Sequence, residues 1–131
     1  MKIFREEYFG GILYDDSTLT YKIITNGEDI KADRFIPVSF KPERHDILSA
    51  PVRIYFELTE KCNLSCRHCF VSSSPLSKTG MSTSMIFFLL EDMKDAGVIN
   101  IRFTGGEPTS RDDWFDILNY AKSLGFVVSL S

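Results

Sequence analysis

No apolar run in this 131-residue chain approaches the roughly 20 residues that a membrane-spanning helix needs. The N-terminus, Met1-Lys-Ile-Phe-Arg-Glu-Glu7, runs straight into charge and lacks the apolar core of a signal peptide. Positive charge is not in excess. The 15 Lys and Arg against 18 Asp and Glu leave a net charge of −3, which offers nucleic acid or an anionic membrane no basic surface. Internal repeats and long low-complexity tracts are lacking too. Cysteine is scarce: the chain has three, Cys62, Cys66 and Cys69, within eight residues of one another. In a chain without a secretory signal, such close spacing reads as metal ligation rather than disulfide pairing, and implies a cytoplasmic, reducing location.

The rest of the composition is ordinary. An apolar share of 44% and a charged share of 25% suit one modest globular domain. The chemistry lies in Lys61-Cys-Asn-Leu-Ser-Cys-Arg-His-Cys-Phe70, a C-x3-C-x2-C spacing. Three thiolates on one loop can converge on one soft metal centre. Structural zinc usually takes four protein ligands. A cubane iron–sulfur cluster normally takes four cysteines. Three cysteines with nothing to complete the set suggest a cluster with one iron left open to a small molecule. The site therefore reads as catalytic rather than structural.

A second mark is Thr104-Gly-Gly-Glu-Pro108, directly after an apolar strand. Taken together, in this order, the two motifs resemble the radical S-adenosylmethionine (SAM) superfamily from about residue 52 onward. The resemblance implies that Cys62, Cys66 and Cys69 hold a [4Fe–4S] cluster whose open iron takes the amino and carboxylate groups of SAM. One electron then breaks the S–C5′ bond and releases a 5′-deoxyadenosyl radical. His68 falls where the family has an aromatic-type residue near the adenine. A role as fourth metal ligand is the alternative, made awkward by its adjacency to Cys69. Phe70 is expected to pack around the cluster. Thr104, Gly105 and Gly106 would receive the SAM amino group, largely through main-chain oxygen, with Glu107 close by. Gly105 and Gly106 also have a physical reason to be glycine, since a backbone that must approach a ligand closely has no room for a Cβ. The implied partners are SAM, an electron donor such as a flavodoxin or ferredoxin, and a precursor peptide or protein. Arg5 to Asp15 looks similar to the start of peptide-modifying members, and a SPASM-type, cofactor-maturing member is one form of this reading.

Residues 1–30 read as a small β-hairpin extension. Tyr8–Tyr14 and Leu19–Thr25 are strand candidates, and Asn26-Gly27 is a turn signal. The hairpin either covers a barrel edge or offers a strand to a leader peptide. A full recognition domain of three strands and several helices is not expected to fit before residue 52. Residues 31–51 hold Pro37, Pro42 and Pro51 and read as a linker, in which His45 is a solvated loop residue.

Residues 52–131 alternate. The expected strands are Val52–Leu58, Asn100–Thr104 and Phe126–Leu130. One helix is capped by Ser82 or Thr83 and ended by Gly97; the other is capped by Thr109 or Ser110 and ended by Gly125. The polar stretch 71–80 connects the cysteines to the first helix. This order predicts an α/β fold with parallel strands. By resemblance it is the N-terminal portion of a partial (β/α)6 TIM-like barrel. Six such units need on the order of 180 residues. The expectation is therefore an N-terminal fragment of a radical SAM enzyme, incomplete by itself. The rival is a non-catalytic zinc or iron–sulfur module, which accounts for the cysteines but not for Gly105-Gly106-Glu107.

Overall fold

A computed structural model describes residues 1–78 and 80–131; Thr79, in the polar connection after the cysteines, lies outside the described residues. The chain divides into two units, residues 1–52 with 93–99, and residues 53–92 with 100–131.

In the first unit, β1 (Lys2–Glu7), β2 (Gly10–Asp15), β3 (Thr20–Thr25) and β4 (Arg34–Ile36) form one sheet in the order β3-β2-β1-β4. The expected hairpin is β2–β3, with Tyr14 opposite Tyr21 and Ile12 opposite Ile23. It is the outer part of a larger sheet. β1 pairs antiparallel with β2, and β4 pairs parallel with β1. Three strands therefore do fit before residue 52, with a fourth beside them, and no helix begins among the described residues before Thr83. Ile3, Ile12, Tyr14 and Ile24 are buried almost completely.

β1 has no alternation to announce it, because its polar residues are buried as well. Arg5 and Glu7 form an ion pair whose side chains are fully buried. Arg5 also donates to the carbonyls of Ala50 and Gly97, both at 2.8 Å, and Glu7 accepts from the Ser49 N–H at 2.9 Å. A buried charge is tolerable only when paired and hydrogen-bonded in this way.

In the second unit, β5 (Arg53–Thr59), β6 (Asn100–Gly105) and β7 (Val127–Leu130) lie in sequence order, all parallel. This is the α/β pattern expected from the alternation of elements. α1 (Thr83–Ala96) buries Ile86 and Leu90, one turn apart. Its cap is Ser82, whose hydroxyl accepts from the Met85 N–H at 3.3 Å. Gly97 stands at φ +93°, with its N–H on Lys94 O and the Val98 N–H on Met93 O, a Schellman ending. Gly125 closes α2 (Trp114–Ser123) with the same pair of bonds.

The start of α2 differs from expectation. Thr109 and Ser110 do not cap it; they lie in a separate 3-10 turn, Pro108–Ser110, capped by Glu107. Asp113 occupies the N-cap position of α2 without a side-chain capping bond, because its carboxylate is engaged elsewhere.

Candidate functional site

The cysteines lie on the loop between β5 and α1, and the base of that loop is tightly bonded. Thr59 is buried, and its Oγ1 accepts from the Lys61 N–H at 3.0 Å. Lys61 bridges to Ser74, and the Cys62 N–H donates to Ser74 O at 3.1 Å. Farther out, the Cys69 N–H donates to Cys66 O at 3.1 Å, so a turn sets the C-x2-C half of the motif. All three cysteines are free thiols; Cys66 is exposed, while Cys62 and Cys69 are half-buried. Backbone N–H groups of Ser73, Val71 and Ser72 lower the Cys69 thiol below its ordinary value, partly offset by desolvation. Ser72 sits at φ +53°, a left-handed turn of the kind that lines up successive N–H groups in a concave nest.

The segment Gly105–Glu107 lies directly against the start of this loop. The Gly106 N–H donates to Thr59 O at 2.8 Å, and the Glu107 N–H to Lys61 O at 2.9 Å. A Cβ on Gly105 would stand 2.3 Å from Thr59 O, and one on Gly106 would stand 2.2 Å from Lys61 O. The close approach that requires glycine here is therefore made to the protein's own backbone, immediately before Cys62. The Glu107 carboxylate accepts from the Thr109 hydroxyl at 2.6 Å and from its N–H at 3.1 Å. Thr104 sits in β6 opposite Glu57.

His68 is exposed, and Phe70 is fully exposed, so Phe70 does not pack around the cysteines. His45 is not merely solvated; its ring meets Tyr8 edge-on at 4.8 Å.

One residue escaped the sequence reading. Arg111 is buried, donates to Leu58 O and Met81 O, and pairs with Asp113, which also takes the Thr83 hydroxyl. A single cation between Ser110 and Asp112 carries no periodic signal that would mark it.

The model of the radical SAM superfamily matches residues 56–131. This chain belongs to the radical SAM superfamily. Among curated proteins, it is 35% identical over 74 residues to the mycofactocin maturase MftC of Mycolicibacterium smegmatis, covering 56% of this chain and 19% of the maturase. It is 31% identical over 84 residues to the PqqA peptide cyclase of Bradyrhizobium diazoefficiens, covering 61% of this chain and 21% of the cyclase. The chain thus spans about a fifth of the length of these relatives. Among solved structures, Streptococcus suis SuiB bound to its precursor peptide SuiA superposes with a TM-score of 0.71 at 19% identity, over 99% of this chain and 42% of SuiB. That likeness shows the fold.

The family implies a [4Fe–4S] cluster. Among the described residues, no three Cys, His, Asp or Glu side chains stand close enough to hold one metal ion, so the thiols are not drawn together in this conformation. The donor set nonetheless fits. Three free thiols share a loop with a fixed base, and N–H groups face the Cys69 sulfur. The Ser73 hydroxyl in the same loop is buried, and with the neighbouring N–H groups it helps to lower the Cys69 thiol. Metal sites commonly order their ligands only on binding, so thiols that stand apart without metal are compatible with a shared cluster.

Proposed function

We propose that this chain is the cluster-bearing part of a radical SAM enzyme acting in the maturation of a peptide or of a peptide-derived cofactor. The reading rests on one observation above all: the loop carrying Cys62, Cys66 and Cys69 is hydrogen-bonded at its base to the Gly105–Glu107 turn. The two sequence motifs are thus one site. Cys62, Cys66 and Cys69 hold the cluster. Thr104, Gly105, Gly106 and Glu107 border the place of the SAM amino group, and His68 is on the adenine side. When bound, the cluster supplies the electron that cleaves SAM to methionine and a 5′-deoxyadenosyl radical. The protein's own residues position SAM and exclude water. A flavodoxin or ferredoxin serves as donor.

A precursor peptide as substrate is supported by the names of the relatives and by the peptide seen bound to SuiB. β3 is an edge strand, and Tyr21 and Ile23 on it are exposed. It offers backbone and apolar side chains to an extended peptide. Residues 52–131 form the radical SAM part, and the sheet before them is the extension that meets the peptide.

Anaerobic reconstitution with iron and sulfide tests the reading. About four irons per chain are expected, with a spectrum that changes on adding SAM. Cys62→Ala, Cys66→Ala and Cys69→Ala should each abolish that response, and His45→Ala should not. One zinc per chain, or a cluster that survives loss of one of these cysteines, would overturn it.

A further inference from the structure

We infer that Arg111 is a positioning residue for the cysteine loop, fixing both of its ends to one point and so setting where the three thiols stand. The inference rests on the reading of those thiols as cluster ligands. Arg111 is only 4% exposed. Its Nη1 donates to two carbonyls distant in sequence, Leu58 O at 3.0 Å and Met81 O at 2.9 Å. Leu58 is the last residue but one of β5, and Met81 immediately precedes the cap of α1. The three cysteines lie between these two points. The rest of the guanidinium grips Asp113, Nε to one carboxylate oxygen at 2.8 Å and Nη2 to the other at 2.7 Å. Asp113 in turn accepts the hydroxyl of Thr83, the first residue of α1.

Stability alone does not call for a charge here. An apolar side chain of similar volume often does as well as a buried ion pair. What a guanidinium adds is a planar set of five donors in fixed directions, able to hold two carbonyls and a carboxylate at once. The loop's departure and return are thereby tied. The bonds from Gly106 and Glu107 hold Thr59 and Lys61 within it. The base of the loop is fixed while its crown, with Cys66, is exposed. That combination suits ligands that must close over incoming iron without losing their place.

The test uses the 131-residue chain with Arg111→Gln, Arg111→Lys and, as a general weakening of the same unit's core, Ile117→Val. Amide hydrogen exchange is measured on the metal-free protein. In Arg111→Gln the amides of Cys62, Gly106 and Glu107 should exchange about tenfold faster, while Ile101 and Phe103 in β6 are unchanged. Lysine, a single-point donor, should restore only part of the protection. Exchange that rises uniformly, as expected for Ile117→Val, overturns the proposal and leaves Arg111 a general stabiliser. The second readout is iron and sulfide per chain at limiting iron, with the electron paramagnetic resonance of the reduced cluster. Arg111→Gln should load several-fold less and give a broadened signal. Normal loading with unchanged loop amides overturns the clamp and spares the cluster. No iron uptake by the unsubstituted chain overturns the cluster reading, and with it the purpose assigned to the clamp.

Discussion

Gly106 shows how little room the backbone beside the cysteines leaves. A side chain there would meet Lys61 O at 2.2 Å, and neither partner is a flexible group that can swing away. Gly106→Val should therefore break the bonds to Thr59 and Lys61 and cost roughly 2–3 kcal/mol. Iron content and SAM affinity should fall together. A glycine needed only for contact with SAM would lose affinity at normal iron content, so measuring both separates the two roles. Asp113 makes a different demand. The Arg111 guanidinium holds its carboxyl down to about 2, from an ordinary 3.8. The group is ionised in the folded chain well below the pH at which it protonates when unfolded. Its contribution is thus complete above about pH 5 and is lost as pH falls toward 2; with solvent screening of this partly exposed carboxylate it amounts to about 1 kcal/mol. Asp113→Asn should cost about that much at pH 7, and the gap to the parent should narrow steadily below pH 4. Urea unfolding at several pH values measures it, and a gap independent of pH would remove Asp113 as the cause.

At the scale of elements, helix ends carry much of the specification. Gly97 is left-handed and ends α1, and a Cβ there would also come within 2.6 Å of the Val38 side chain. Gly97→Ala should cost more than the ~1 kcal/mol usual for a left-handed position, read as a lower urea midpoint at unchanged slope. Such endings are legible in the sequence, as are the strands rich in β-branched residues and the order of the elements after residue 52. What was not legible has a common physical cause. β1 hides because Arg5 and Glu7 look like a solvated tail and are instead buried as a pair. β4 is three residues long and pairs only through a partner thirty positions away, so no local pattern reports it. The start of α2 lies later than Thr109 and Ser110 suggest, because Pro108-Thr109-Ser110 forms its own capped turn. In the site, the cysteines and glycines declare themselves by spacing. Arg111 does not, since its partners, Leu58, Met81 and Asp113, meet only once the chain has folded.

For the whole molecule, the first unit is not continuous in sequence. It takes residues 1–52 and then waits for 93–99, which arrive after the cysteines and most of α1. Among the acceptors of Arg5 is the carbonyl of Gly97. Chains are made at about 5–20 residues per second. Between the synthesis of Arg5 and that of Gly97, roughly 5 to 20 s therefore pass, in which one of its carbonyl partners does not yet exist. Arrested nascent chains that end near residue 80 should be cut by protease within β1, while chains that also expose residues 93–99 outside the ribosome should resist. Equal resistance in both would mean that the sheet closes without Gly97. The same delay has a consequence for iron. The cysteines leave the ribosome before residues 93–99 complete the first unit, so any metal that reaches the three thiols early meets a chain still partly open, and timing joins chemistry in deciding which ion arrives first.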